Sequence, residues 1–188
     1  GGHTEFEGTV LGATSNTVTV SGTSGLSAGY IVAIMDGGGV GQYRRIESVD
    51  GATLTLEKDW SVNPSVGVLV SVGKYFTEQV VYNNDFESRQ DAVDSNLDSN
   101  GSSGTHYYSG TCGLVQDGNT YRQFKSGTEH WVGEMDAGSR AHIGLWNITD
   151  NNVYTNCRWG IEITGGSWSA GDSFRTQLAS ANNAYRNT

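Results

Sequence analysis

At 188 residues the chain is long enough for one domain or two small ones. With 27 Gly, one Pro and only 16% charged residues it is poor in helix formers and rich in strand and turn formers, so an all-β architecture is expected. Eleven Lys and Arg against 20 Asp and Glu give a formal net charge of -9, which argues against nucleic acid and anionic membranes as partners and favours neutral glycans over acidic ones, except at a local basic cluster.

No apolar run approaches the ~20 residues of a membrane helix, and no charged segment followed by an apolar one opens the chain. Few lysines and the sequons at Asn100 and Asn147 point to a secreted or surface-exposed extracellular setting. Cys112 and Cys157 are left open as one disulfide or two buried thiols.

In chain order, short alternating runs come first: Gly8–Leu11, Thr17–Val20, Tyr30–Ile34, Tyr43–Ile46, Thr53–Leu56 and Val66–Val72. Turn formers separate them, among them Asp36-Gly-Gly-Gly39 and the hairpin signal Asp50-Gly51. The spacing predicts a compact antiparallel barrel or sandwich over residues 1–72, with a core from Val18, Val20, Ile31, Ile34, Ile46, Leu54, Leu56 and Val68. Leu26-Ser-Ala-Gly-Tyr-Ile-Val32, Gly41-Gln-Tyr-Arg-Arg-Ile46 and Leu54-Thr-Leu-Glu-Lys-Asp-Trp60 resemble a small β-domain found in many β-helix carbohydrate enzymes and phage spike proteins. That domain is accessory where it occurs. Gln42, Arg44, Arg45 and Trp60 are its candidate glycan contacts, although outward Arg and a capping Trp also suit plain surface and core.

After Val72 four segments align without gaps: Tyr82-Asn-Asn-Asp-Phe86, Asp117-Gly-Asn-Thr-Tyr121, Asp150-Asn-Asn-Val-Tyr154 and Ala181-Asn-Asn-Ala-Tyr185. Their shared Asn-x-aromatic core starts at Asn84, Asn119, Asn152 and Asn183, with spacings of 35, 33 and 31. In a β-rich chain such a period predicts a solenoid over residues 73–188, because each coil buries its apolar face only against the next. The asparagines are expected to stack at one turn, and Phe86, Tyr121, Tyr154 and Tyr185 to form an inward column.

These turns, and Ile148-Thr-Asp-Asn-Asn-Val-Tyr-Thr-Asn156 in particular, resemble the right-handed parallel β-helix proteins, a group that includes pectate-lyase-like lyases, glycoside hydrolases, epimerases and phage tailspikes. The resemblance implies about 3–4 coils of right-handed parallel β-helix behind the small β-domain, and polysaccharide as the partner. The Asn-Thr-Asp, Asp-Asp and Gly-His-Gly motifs of polygalacturonase-like members are absent.

One segment, Glu129-His-Trp-Val-Gly-Glu-Met-Asp-Ala-Gly-Ser-Arg-Ala-His142, concentrates reactive groups. Glu134 and Asp136, two apart, would share one strand face as the acid and the base or nucleophile of a glycosidase. His130, His142 and Arg140 could serve a lyase as base and cation, and Glu134, Asp136, Arg140 and His142 are the catalytic candidates. His130, Trp131 and Trp146 are the candidate sugar contacts. The competing reading is a solvated loop.

No cofactor and no metal is expected. His130, Asp136 and His142 match no standard metal spacing, and Asp91–Gly110, with Asp94, Asn96, Asp98 and Asn100 at alternate positions, lacks the closing Glu of a calcium loop. The leading expectation is an extracellular protein that binds or cleaves polysaccharide, as lyase or hydrolase. Its rivals are a structural or adhesive rod of the tailspike kind and a non-catalytic glycan-binding module. A rod of so few coils is expected to be part of a longer chain or to associate with copies of itself through solenoid ends or sides.

Overall fold

The computed structural model describes residues 4–88, 103–107, 110–131, 143–164 and 175–186, and every element among them is a strand. The first six are β1 (Thr4–Ala13), β2 (Thr17–Val20), β3 (Ile31–Ile34), β4 (Tyr43–Asp50), β5 (Thr53–Leu56) and β6 (Leu69–Gly73). They close into an antiparallel barrel in the order β1-β2-β5-β4-β3-β6, which leaves no free edge. Alternation explains the closure: Val18 and Val20 of β2 and Leu54 and Leu56 of β5 turn inward while the threonines between them turn outward. Asp50 and Thr53 pair across a tight turn in which Gly51 takes φ 55°, as the Asp-Gly signal predicts.

β3 departs from this alternation because all four of its residues are buried. Val32 and Ile34 fill the barrel, whereas Ile31 and Ala33 pack outside it with Met35, Tyr75, Cys112, Ile143 and Leu145. Seven of the eight residues expected in the barrel core are there, and Ile31 is not. Its strand has a second covered face, which a pattern of four consecutive apolar residues does not apportion.

The rest of the chain runs through three parallel sheets in turn. β7 (Phe76–Tyr82), β10 (Thr111–Asp117), β13 (Ile143–Asp150) and β16 (Arg175–Ala181) form the first. β8 (Asp85–Glu87), β11 (Thr120–Arg122), β14 (Val153–Thr155) and β17 (Ala184–Arg186) form the second. β9 (Ser103–Tyr107), β12 (Ser126–Trp131) and β15 (Trp159–Thr164) form the third. All their pairings are parallel.

The turn between the first and second sheets is built from two residues with different tasks. Asn83, Gly118, Asn151 and Asn182 all adopt left-handed backbone (φ 50–67°), which Gly and Asn tolerate best. The following Asn84, Asn119, Asn152 and Asn183 form a ladder in which the carboxamide oxygens of Asn119, Asn152 and Asn183 accept from Asn84, Asn119 and Asn152 respectively. The backbone N–H distances are 2.9 Å at each rung, and the side-chain N–H distances 3.1, 3.0 and 3.2 Å.

Beside the ladder Phe86, Tyr121, Tyr154 and Tyr185 stack at 5.0, 5.2 and 5.2 Å between ring centroids. Facing them are Gly104, Gly127 and Gly160, at equivalent places in the third sheet. A Cβ on these glycines would lie 2.4, 2.2 and 1.9 Å from the nearest ring atom of Tyr121, Tyr154 and Tyr185 respectively, so each ring fills the space a side chain would need. The interior also holds a polar knot. Gln116 donates to Tyr107 Oη (2.7 Å) and Thr105 Oγ1 (3.1 Å) and accepts from Thr128 Oγ1 (2.8 Å), so a fully buried amide keeps its partners.

Cys112 and Cys157 are both buried free thiols. Asn147 is buried and accepts from Thr111 Oγ1 (3.1 Å), which withdraws that sequon from the surface, while Asn100 lies outside the described residues.

Candidate functional site

Where the barrel abuts the first parallel sheet, a groove of about 440 Å³ opens to solvent. One wall is barrel, with Gln42 just before β4, Tyr43, Arg44 and Arg45 from its start, and Glu57 and Lys58 just after β5. The other wall is Thr77 and Glu78 of β7 and Trp146 of β13.

The coil wall has an uncommon backbone. The pairing register sets Glu78, Gly113 and Trp146 side by side on β7, β10 and β13, and their φ values are 54°, 78° and 57°. Left-handed backbone in the middle of a strand costs a non-glycine residue about 1 kcal/mol or more. At Gly113 the missing side chain admits Tyr43, whose hydroxyl would sit 2.6 Å from an added Cβ. At Trp146 the kink swings the indole onto the barrel, where Nε1 donates to the Gly41 carbonyl at 2.6 Å. The ring edge lies so close to Gly41 that a Cβ there would fall 3.0 Å from it. Trp146 is thus held in one orientation yet remains 53% exposed.

The barrel wall is braced from behind. The Gln42 carboxamide accepts from the N–H groups of Ser61 and Val62 and donates to the carbonyls of Gly39 and Val62. Arg44 donates to the carbonyls of Asp59 (2.8 Å) and Tyr43 (2.7 Å) and to Ser61 Oγ (3.2 Å), and its guanidinium lies over Trp60 at 5.3 Å. All these acceptors are neutral, so the Arg44 charge is hydrogen-bonded without an ion-pair partner in these contacts. Arg45 donates to the Gly29 carbonyl (3.0 Å) and meets Glu57 at 3.8 Å, an exposed pair of small energetic weight. Burial, then the neighbouring Cys112 and Glu78, raise the Tyr43 phenol above its ordinary pKa against the opposing pull of Arg44. The phenol therefore stays a neutral donor at physiological pH.

Of the residues singled out from sequence, Trp146 lines this groove together with Gln42, Arg44 and Arg45, whereas Trp60 is buried behind it. His130 lies inside the coils, 2% exposed and stacked on Tyr107 at 5.2 Å, rather than on an outer face where a sugar would meet it. Burial, reinforced by His106, lowers its pKa to about 4. Trp131 ends β12, and its side chain lies outside the described residues, as do Glu134, Asp136, Arg140 and His142 and the segment from Asp91 to Asn100. Tyr43, Lys58 and Glu78 line the groove as well. Tyr43 and Lys58 do sit in the segments that carried the small-domain resemblance, but nothing local marks Glu78.

A second aromatic surface is already occupied. Trp159 lies under Lys125 (5.2 Å) and Arg158 (4.4 Å), and Lys125 also reaches Glu162 at 3.7 Å. Its ring faces are thus engaged by cations of the chain itself. No group of three or more His, Cys, Asp or Glu able to hold a metal occurs among the described residues.

Fold and groove together define an all-β protein in which a closed antiparallel barrel abuts the first of three parallel sheets and a cleft marks their junction. No family model and no curated protein matches the chain. Among solved structures, it is similar to the tailspike protein gp49 from Pseudomonas phage LKA1, with 11% identity and a TM-score of 0.32 over 100% of this chain and 29% of that one. It is also similar to the tailspike gp61 of Pseudomonas phage phi297, with 11% identity and a TM-score of 0.25 over 96% of this chain and 46% of that one. The chain spans less than half of either. Likeness at these scores carries no weight beside the strand pairing itself.

Proposed function

We propose that this protein is an adhesive segment of the tailspike kind. In this reading residues 1–72 are a small β-domain, residues 73–188 are a right-handed parallel β-helix built of repeats, and the whole is a rigid extracellular support that holds polysaccharide. The hand follows from the general preference of parallel strand crossovers, which are right-handed in about 98% of cases. The observation that carries the reading is the unbroken ladder from Asn84 to Asn183 beside the stacked column from Phe86 to Tyr185. Each rung ties one coil to the next, and so supplies the stiffness that a rod needs and a lone binding module does not.

The groove at the barrel junction favours a polysaccharide partner, since an oriented, half-exposed indole among polar groups suits a sugar ring. Cleavage at Glu134, Asp136, Arg140 and His142 is the rival reading. Incubation with a panel of neutral and acidic polysaccharides, scoring retention, reducing ends and unsaturated product together, separates the two. Retention without product is expected, and turnover that is lost in Glu134→Gln or Asp136→Asn would replace the adhesive reading with an enzymatic one.

A further inference from the structure

We propose that the groove between β4 and the first parallel sheet is a binding site for an acidic sugar unit, a pyranose carrying a carboxylate, within a longer glycan. This inference rests on the adhesive reading and names the ligand class of its junction groove. Three independent features point to it.

The first is the platform. Trp146 keeps a left-handed backbone (φ 57°) in the middle of a strand, and its N–H is committed to Gly41, yet 53% of the residue faces solvent. A tryptophan recruited only to fasten the two parts together would gain most by burying its ring. This one is fixed at its edge with much of its surface left open, which is the arrangement that stacking on a sugar requires. Strain at Trp146 and close approach at Gly41 both serve that orientation.

The second is a local reversal of charge. The chain carries a net -9, but the groove is lined by Arg44, Arg45 and Lys58 against Glu57 and Glu78, an excess of one positive charge. Arg44 makes its hydrogen bonds to neutral oxygens, so they leave its charge uncompensated. In a field that repels anions over most of the surface, this cleft is where a carboxylate finds cations beside an aromatic face.

The third is shape and hydrogen bonding. At about 440 Å³ the groove lies within the roughly 300–1,000 Å³ of small-molecule sites. Tyr43 supplies a neutral phenol and Glu78 a carboxylate in the same cleft, a donor and an acceptor for ring hydroxyls. Trp146 would then take the ring face, and Lys58 the carboxylate, in the field of the uncompensated Arg44.

The test is a titration, followed by tryptophan fluorescence and calorimetry, of the intact protein with three uronate oligosaccharides: oligogalacturonate, oligoguluronate and hyaluronan fragments. Each is paired with the same oligosaccharide after reduction of its carboxylates to alcohols. At least one acidic probe is expected to bind, its reduced counterpart about tenfold more weakly or worse. Affinity should fall with added salt and drop by about tenfold in Trp146→Ala and in Lys58→Glu. Because Trp146 also holds Gly41, its variant is checked by circular dichroism and melting, and Lys58→Glu, on an exposed turn, carries the test if that variant is unstable. Equal binding of the reduced probes overturns the acidic class. Binding unchanged in a folded Trp146→Ala and in Lys58→Glu overturns the site and leaves the adhesive reading intact. Failure of the wild-type protein to retain any glycan, neutral or acidic, overturns both.

Discussion

The carboxamide oxygen of Asn152 accepts two hydrogen bonds from Asn119, one from its backbone N–H at 2.9 Å and one from its side chain at 3.0 Å, and both residues are fully buried. Asn152 in turn donates to the Gln116 carbonyl and to Asn183 Oδ1, both at 3.2 Å. At about 1 kcal/mol net for each of the four bonds, Asn152→Ala should cost roughly 3–4 kcal/mol. Asn152→Asp, which keeps the acceptor but buries a charge, should cost at least as much at neutral pH and partly recover in acid. Urea midpoints of the two variants at pH 7 and pH 4.5 check both statements.

Gly127 tests the packing of the column. A methyl group there would lie 2.2 Å from the Tyr154 ring, which is pinned between Tyr121 and Tyr185. Gly127→Ala should therefore destabilise by about 2 kcal/mol or more, although alanine is ordinarily the better strand residue. Gly12→Ala, where nothing lies within 4 Å, is the control and should change the melting temperature little.

Gly113 and Tyr43 should behave as a coupled pair across the barrel junction. Gly113→Ala meets both a left-handed backbone and the Tyr43 hydroxyl, for an expected loss of about 2–3 kcal/mol. Removing that hydroxyl in Tyr43→Phe leaves the next ring atom 3.6 Å from the added Cβ, so the double variant should recover part of the loss. A double-mutant cycle reads the coupling directly, and additive losses would mean that the hydroxyl plays no part in the clash.

Stability should also fall in mild acid because of His130. Its pKa is about 4 in the folded chain, below the ordinary 6.5, so the fold keeps the imidazole neutral. A folded value below the unfolded one means a contribution present above about pH 6.5 and progressively lost as pH falls toward 4. At about 1.4 kcal/mol per pH unit the whole interval is worth roughly 3 kcal/mol. His130→Phe preserves an aromatic ring against Tyr107 and removes the titration. The unfolding free energy of the wild type, taken relative to that of the variant, should then fall by roughly 3 kcal/mol from pH 7 to pH 4.

Much of the architecture was legible because it repeats locally. Thr17–Val20 and Thr53–Leu56 are seen as strands with the bounds expected of them, since two-residue alternation is a property of the segment alone. The ladder and its aromatic column were visible as well, because each turn between the first and second sheets carries the same Asn-x-aromatic core at a regular spacing. The two parts of the Asn-Asn doublets were not separable. The first Asn is chosen for left-handed backbone and the second for its carboxamide, and only coordinates assign those tasks. The site was less legible: Trp146 and the two arginines stood out by residue type, but the segment that drew attention by its density of acids and bases did so from composition alone.

By itself the sequence determined the strand-rich character, the bounds of β2 and β5 and the neighbourhood of the other barrel strands, and which asparagines and aromatics succeed one another along the parallel sheets. Each of these depends on interactions whose pattern recurs at a short or regular spacing. Only the tertiary structure decided that Ile31 leaves the barrel core, that Gly127 makes room for Tyr154, that His130 is sealed inside, and that Trp146 reaches Gly41 across 105 residues of sequence. Those outcomes depend on how one packed surface docks against another, and a contact between distant segments is set by the shape of both surfaces, which neither segment encodes alone.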